Sequence, residues 1–448
     1  MYNLKITHLE KFFNQSIFED VNLSFSAKKG VVAVIGDNGS GKSTLLKMMS
    51  GQDPDYSGEI VWQGGPSIGV MPQELEVGLL SGGQKKMEML AQLLYSHHDV
   101  LMLDEPDNHL DIANKLWLEE TIDSFPGLII LISHDREFLR RVTTQVWLVE
   151  GKRVRQFNYG FAKYEELSAL EMEQSEELYR RQKKEEKRLE ELVKRFGYVA
   201  SYNSERVGVY HSMEKRLARH REEMLEDPRK RKLSVSLKAG EMGGQIKGKT
   251  ALLVRDLKFW YRGITIFDEA NLHLFVGNKA GISSPNGTGK STLIKLLLGE
   301  LKPVSGVARI GEGLKVGYYS QEHVMTLPLE ETPSQMFLEK YPMNPHLAEQ
   351  ILKRYMFSVQ TQKTKVRLLS GGQKSRLQLC LFLQSEPDIL ILDEPTNHLD
   401  LKSITVLEQF LRDYRGTVLL VSHDRQLLSA VCDRIYTIRG GEIKEVME

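Results

Sequence analysis

Two stretches of this chain have the residue types and spacing to hold the phosphates of a nucleotide. GDNGSGKST runs from Gly36 through Asp37, Asn38, Gly39, Ser40, Gly41, Lys42 and Ser43 to Thr44. SPNGTGKST runs from Ser284 through Pro285, Asn286, Gly287, Thr288, Gly289, Lys290 and Ser291 to Thr292. The first follows the apolar run VVAVI and precedes the helical run TLLKMM. Strand, glycine loop and helix in that order let backbone N–H groups cradle phosphates at a helix N-terminus. Lys42 and Lys290 then reach the β- and γ-phosphates, and the Ser43 and Ser291 hydroxyls ligate Mg²⁺. A chance glycine loop does not explain two copies in one context. Ser284 stands where the first copy has Gly36. Because Pro285 pushes the preceding residue toward extended geometry, the exchange is read as neutral, with weakened nucleotide binding as the alternative.

Two further repeats supply acids and a base. VLMLDEP and ILILDEP read as buried parallel strands that each deliver adjacent carboxylates at their ends. Asp104 and Asp393 hold Mg²⁺ through water in this arrangement, and Glu105 and Glu394 polarise the attacking water. A surface ion pair is the plainer reading of an Asp-Glu pair, and it fits badly after a buried strand. His134 and His423 end the runs LIILIS and VLLVS, where a histidine can sense the γ-phosphate.

These elements define a duplicated chain. Lys42 to Lys290 and Gln73 to Gln321 are both offsets of 248, whereas Ser81 to Ser370, Asp104 to Asp393 and His134 to His423 are offsets of 289. The 41 additional residues therefore fall between Gln321 and Ser370, where AEQILKRYMF has helical spacing, and the first half has only QELEVGLLS there. The expected organisation is α/β: a P-loop domain over 1–159, a charged helical linker over 160–250 and a second P-loop domain over 251–448. In the linker, Phe161 to Phe196 and about Ser204 to Glu226 carry narrow apolar stripes, including Leu170 and Leu178, that pair best as an antiparallel hairpin about 50 Å long. Arg180 to His220 holds twelve Lys or Arg against six Glu. Gly197 and Gly208 are expected to permit the turn at its tip.

The bulk numbers narrow the class. Sixty basic and sixty acidic residues balance, so attraction to nucleic acid must rest on local patches. Cys380 and Cys432 lie far apart in apolar surroundings, which suits buried thiols in a reducing compartment, and the protein is read as cytoplasmic. MYNLKITHLEKFF lacks the features of a signal peptide. The longest apolar runs are strand-length and far short of the ~20 residues that span a bilayer.

The glycine loops, the LSGGQ segments, the LDEP strands and the SHD histidines together resemble ATP-binding cassette domains. The DEP-x-NHLD extension, two fused cassettes and a basic hairpin resemble the ABC-F family of ribosome-associated ATPases. Asp107 departs from the threonine of that pattern, which Thr396 keeps. The resemblance implies that the cassettes meet head to tail. ATP at Lys42 would then be capped by Ser370, Gly371, Gly372 and Gln373, and ATP at Lys290 by Ser81, Gly82, Gly83 and Gln84. It also implies that Gln73 and Gln321 attend Mg²⁺ and water, and that Phe13 and Tyr261 stack on adenine, their neighbours Phe12 and Trp260 leaving a core role open.

A monomer with ATP and Mg²⁺ as cofactors is implied, binding the ribosome near the tRNA exit site in its closed form and leaving on hydrolysis. Lys194, Arg195, Tyr198, Tyr202, Arg206, Tyr210 and His211 are the residues placed to meet rRNA or tRNA. A translation factor is favoured. Antibiotic protection of the ribosome and, less favoured, a transporter's ATPase subunit or a non-hydrolysing regulator are the alternatives.

Overall fold

Apolar runs bounded by glycine and charge form the centre of each cassette. The computed structural model describes residues 2–13, 16–71, 82–108, 110–200, 202, 207–224, 248–261, 263–319, 327–355, 357–369, 371–384, 387–397 and 399–446. In the first cassette a six-stranded sheet runs, in spatial order, Ile68–Met71, Val100–Asp104, Leu128–Ile132, Gly30–Gly36, Gln145–Glu150 and Arg153–Phe157. All neighbours are parallel except the last pair. The second cassette repeats this order with Val316–Tyr319, Ile389–Asp393, Thr417–Val421, Lys279–Ile282, Arg434–Arg439 and Glu442–Glu445. Strands buried on both faces read as continuous apolar runs, which is why LIILI and VLLV carry no alternation.

An antiparallel three-stranded sheet packs on each core, with Tyr2–Phe12 between Ser16–Ala27 and Ser57–Gln63 in the first cassette, and Thr250–Tyr261 between Ile264–Phe275 and Ser305–Ile310 in the second. Leu4, Ile6 and Leu9 meet Val32, Val34, Leu45 and Met48 in one core. Leu252, Val254 and Leu257 meet Ile282, Leu293, Ile391 and Leu419 in the other.

Between Tyr319 and the helix Gly371–Leu383 the second cassette carries helices Pro333–Lys340, Pro345–Arg354 and Val359–Gln362 and a 3-10 turn at Val366–Leu368. Thr332 and Gln335 close a capping box at the first of these helices. Phe337, Leu352, Tyr355, Phe357 and Val366 are buried within this insert, each aliphatic or aromatic side chain contributing about 1.5–3 kcal/mol. The corresponding first-cassette connection lies outside the described residues.

Contacts divide the chain into Met1–Ala162 with Val235–Glu448, and a separate unit Lys163–Ser234. The latter contains most of the helix Phe161–Ala200 and the helix Val207–Glu223. His220 Nε2 meets the Gln182 carbonyl at 2.9 Å, Arg221 Nε donates to Glu186 at 2.9 Å, and the Tyr210 ring lies against Gly197. The two helices are therefore antiparallel. Among the described residues of this unit, Tyr179, Leu189 and Leu217 are the buried apolar ones, whereas Leu170 and Leu178 are about half exposed and do not belong to the packed stripe. Gly197 and Gly208 both lie inside helices without positive φ, so neither makes the turn. A Cβ on Gly197 would stand 3.1 Å from the Tyr210 ring. Its role is to let the helices approach.

Candidate active sites

Each glycine loop ends at a residue that only glycine fits. Gly41 and Gly289 precede the helices Lys42–Met49 and Lys290–Leu297 with φ of 102° and 104°, and a Cβ there would meet Ile17 at 2.6 Å or Ile266 at 2.4 Å. Lys42 Nζ donates to the Gly36 and Asp37 carbonyls at 2.9 and 3.0 Å. Lys290 Nζ donates to the Ser284 carbonyl at 2.7 Å and to His423 Nε2 at 2.9 Å. Burial pulls both ammonium groups below their ordinary pKa. Ser284 has no positive φ, and its Oγ accepts from the Ile438 N–H at 2.6 Å, so the serine is tied into the sheet rather than straining the loop.

The carboxylates sit at the ends of the buried strands. Asp104 accepts from the Ser43 hydroxyl, and Asp393 from Ser291 Oγ at 3.1 Å. Asp104 Oδ1 is buried and accepts no hydrogen bond from the described residues. A hydroxyl beside a carboxylate with a free buried lone pair is a hard-oxygen donor set, and it fits Mg²⁺ shared with nucleotide phosphates. Glu105 and Glu394 then take left-handed φ of 49° and 48°. Such a conformation costs about 1–3 kcal/mol, and it is held by bonds from the Glu105 and Glu394 N–H groups to Ile132 and Val421, each 2.9 Å.

The twist brings each glutamate beside its histidine. Glu394 Oε1 lies 3.5 Å from His423 Nε2, and Glu105 Oε1 lies 3.8 Å from His134 Nε2. Burial raises the Glu394 carboxyl to about 7, partly offset by Lys290. Burial, reinforced by Asp104, raises Glu105. Burial and the Lys290 charge push His423 down to about 3, so its ring is neutral and accepts from Lys290 at Nε2. The two glutamates also differ: Glu105 Oε2 accepts from Asn108 Nδ2 at 3.1 Å, whereas Glu394 Oε2 accepts from the His423 N–H at 3.3 Å.

The cassettes face each other across these sites. Asp111 caps the helix Ile112–Ser124 with Oδ1 and accepts from the Asn286 N–H of the opposite loop with Oδ2, at 3.3 Å. Asp400 does the same for the helix Leu401–Asp413 and the Asn38 N–H, at 3.2 Å. Arg136 donates to the Leu401 carbonyl at 2.9 Å, and Arg425 pairs with Glu137 at 3.5 Å. One cavity of about 190 Å³ is lined by Glu105 and His134 from one side and by Glu394 and His423 from the other.

The sequence does not single out Asp111, Asp400 or Arg136, nor Lys86, whose Nζ donates to the Glu105 carbonyl and to the Asn108 carbonyl at 3.0 Å, nor Lys115, whose Nζ lies 2.6 Å from Asp135 Oδ2. Both aspartates recur in the repeats, and that recurrence was the available signal. Of the expected residues, Gln73, Ser81, Gln321, Ser370 and Arg206 lie outside the described residues. Gly82 to Gln84 and Gly371 to Gln373 open the helices Gly82–Tyr95 and Gly371–Leu383. Phe13 and Tyr261 are 53% and 54% exposed, and Phe12 and Trp260 are exposed rather than core. Cys380 is buried and Cys432 partly buried, both free.

Fold and sites define a pair of P-loop nucleotide-binding cassettes within one chain. Sequence families described as ABC transporter match residues 18–73 with 267–397, and 147–237. The probable ATP-binding protein YheS of Escherichia coli K12 is 33% identical over 386 residues, covering 84% of this chain and 58% of that protein. The chain thus spans little more than half the length of that relative. The putative ATP-binding protein YdiF of Bacillus subtilis strain 168 is 29% identical over 533 residues, covering 100% and 82%. ABC transporter F family member 5 of Arabidopsis thaliana is 33% identical over 385 residues, covering 85% and 54%. The fold matches a solved complex of archaeal ribosomal stalk protein aP1 and ribosome recycling factor aABCE1, with a TM-score of 0.64 at 19% identity over 98% of this chain and 89% of the other. This chain belongs to the ATP-binding cassette family, with the F-family proteins among its relatives.

Proposed function

We propose that the chain hydrolyses ATP at two composite sites and couples closure of its cassettes to action on the ribosome. The paired bonds from Asn38 to Asp400 and from Asn286 to Asp111 carry the first part, because they join each phosphate loop to the opposite cassette. Lys42 and Lys290 bind the β- and γ-phosphates. Glu105 and Glu394, once ionised, orient the attacking water, with His134 and His423 holding it against the γ-phosphate. Ser43 with Asp104, and Ser291 with Asp393, would hold Mg²⁺, which supplies charge neutralisation on the phosphates when bound. Ser81 to Gln84 and Ser370 to Gln373 cap the nucleotide of the partner cassette, Gln73 and Gln321 attend the metal, and Phe13 and Tyr261 stack on adenine. Both halves of each site come from one chain, so a monomer suffices.

The ribosomal part rests on the F-family relatives, on the likeness to a recycling factor, and on the hairpin. Its tip exposes Tyr198 and Tyr202, 70% and 79% accessible with their rings 5.3 Å apart, beside exposed Lys194 and Arg195. Aromatic faces next to cations suit unpaired bases and phosphates. Among the described residues no helix is long and apolar enough to cross a membrane. A ribosomal target places the protein in the cytoplasm.

The test is sedimentation of a Glu105→Gln, Glu394→Gln protein with ribosomes of its host, with and without ATP. Removing both glutamates spares binding and blocks water attack, so ATP-dependent migration with the ribosome is expected. Protein that remains at the top of the gradient in both conditions overturns the ribosomal reading.

A further inference from the structure

The wall of the shared cavity is unevenly charged. Glu105, Asp107, Asp135, Glu394 and Asp424 line it, and among the described residues Lys115 supplies its only ammonium or guanidinium group. The two cassettes differ at this point. The 289-residue offset places Ile404 opposite Lys115 and Thr396 opposite Asp107, and both counterparts line the same cavity. The first cassette thus brings a cation, its side chain 15% exposed, where the second brings a buried methyl-bearing side chain.

Lys115 is fixed in place. Its Nζ lies 2.6 Å from Asp135 Oδ2. Asp135 is itself held, because its Oδ1 caps the helix Arg136–Val142 through the Phe138 N–H at 3.0 Å. Burial weakens the ammonium, but Asp135 and Asp107 more than compensate, and Lys115 is charged throughout the physiological range. Lys115 stands one helical turn after Asp111, whose Oδ2 accepts from the Asn286 N–H of the opposite phosphate loop, and it lines the cavity together with Glu394 and His423 of that cassette. Ile404 holds the corresponding place one turn after Asp400, whose Oδ2 accepts from the Asn38 N–H of the first phosphate loop.

We infer that Lys115 is a positioning residue contributed by the first cassette to the hydrolytic site of the second, and that it makes the two ATP sites unequal. A γ-phosphate adds negative charge beside a wall that already carries five carboxyl groups. An ammonium held at fixed distance offsets that charge and keeps Glu394 and His423 in register with the phosphate. At the Glu105 site the corresponding place in the opposite cassette is taken by Ile404. The inference rests on the reading of both sites as hydrolytic.

The test isolates each site. Glu105→Gln leaves the Glu394 site working, and Glu394→Gln leaves the Glu105 site. In each background, ADP formation is followed under single-turnover conditions with ATP affinity measured separately. Lys115→Ile is expected to slow the Glu394 site about three- to tenfold, to leave the Glu105 site within about twofold, and to leave ATP affinity unchanged in both. Lys115→Arg is expected to restore the rate. The exchange variant Lys115→Ile, Ile404→Lys is expected to reverse which site is faster, a result a merely structural lysine would not give.

Because the second cassette already folds with Ile404 in the cavity wall that Asp424 also lines, Lys115→Ile is expected to fold, and a thermal melt checks it. If it does not fold, Ile404→Lys alone decides, since it is expected to accelerate the Glu105 site. Equal losses in both backgrounds, or no loss at the Glu394 site, overturn the inference. Absence of turnover in the unsubstituted protein overturns the hydrolytic reading instead.

Discussion

The backbone N–H of Asn286 donates to Asp111 Oδ2 at 3.3 Å, joining residues 175 positions apart across the cassette interface. Asp111 Oδ1 meanwhile accepts from Asn114 N at 3.0 Å. One carboxylate therefore both starts a helix and steadies the opposite phosphate loop. Asparagine retains the cap, since it is as good a capping residue as aspartate. It loses the charge-assisted bond, worth about 1.5–3 kcal/mol. Asp111→Asn is expected to reduce ATP turnover at the Glu394 site by up to about ten- to hundredfold while shifting the melting temperature little. An unchanged rate with unchanged melting removes Asp111 from the interface mechanism.

Glu394 sets a pH dependence. Its carboxyl, raised to about 7 by burial, must be ionised to accept from water. Activity is lost as pH falls through about 7, and His423, neutral above about 3, adds no second limb in this range. In a Glu105→Gln protein, ATP turnover is expected to rise between about pH 6 and 8 and to level off above. A flat profile from pH 5.5 to 8.5 would remove Glu394 from the role of base.

Asp107 makes the opposite kind of prediction, about stability. Burial raises its carboxyl from 3.8 to about 6, against the pull of Lys115. Between those values the folded protein holds a proton that the unfolded chain has lost, so stability falls as pH rises through about 6. Asp107→Thr, which installs the residue the second cassette already has, is expected to stabilise by about 1–3 kcal/mol at pH 8 and by little near pH 4. Melting temperatures at the two pH values check this. A gain of equal size at both would place its origin in packing instead of charge.

Much of this could be read from residue order. VVAVI, VLMLD and LIILI are too short and too apolar to be anything but buried strands beside glycine loops, and the repeat offsets located the inserted helices before any geometry. The rest depends on what comes close in space. Asp111 recurs as Asp400, but a helix cap already accounts for one oxygen of each, and recurrence does not say that the second reaches the opposite loop. Lys115 looks like any exposed helix lysine until the fold brings Asp135 to 2.6 Å from its Nζ. Leu170 and Leu178 have helical spacing but are about half exposed, because spacing fixes a stripe and not its partner.

Gly197 illustrates the same limit and is testable. Inside an exposed helix, glycine costs about 1 kcal/mol relative to alanine, and it is retained here where a Cβ would meet Tyr210 at 3.1 Å. Gly197→Val is expected to push Tyr210 away from the first helix and to lower hydrogen-exchange protection through 190–215, with cassette protection unchanged. Gly208→Ala, with no neighbour within 4 Å, is expected to keep or raise that protection. Equal protection in Gly197→Val and the parent would show that the close approach is dispensable.

The tip can be dissected by salt. If Lys194 and Arg195 contact RNA phosphates, each neutralised phosphate releases counterions, and replacing both with glutamine is expected to lower the slope of log affinity against log salt by about 1–2. The deficit is then largest at low salt and closes as salt rises. Tyr198→Ala with Tyr202→Ala removes stacking surface instead, at about 1–3 kcal/mol per stacked base, and is expected to weaken ribosome binding by a similar factor at every salt concentration. Sedimentation of the ATP-trapped protein across a salt series separates the two behaviours. Parallel curves for the charge variant and its parent would mean that the lysine and arginine only solubilise the hairpin, and unchanged binding of the tyrosine variant would remove stacking from the contact.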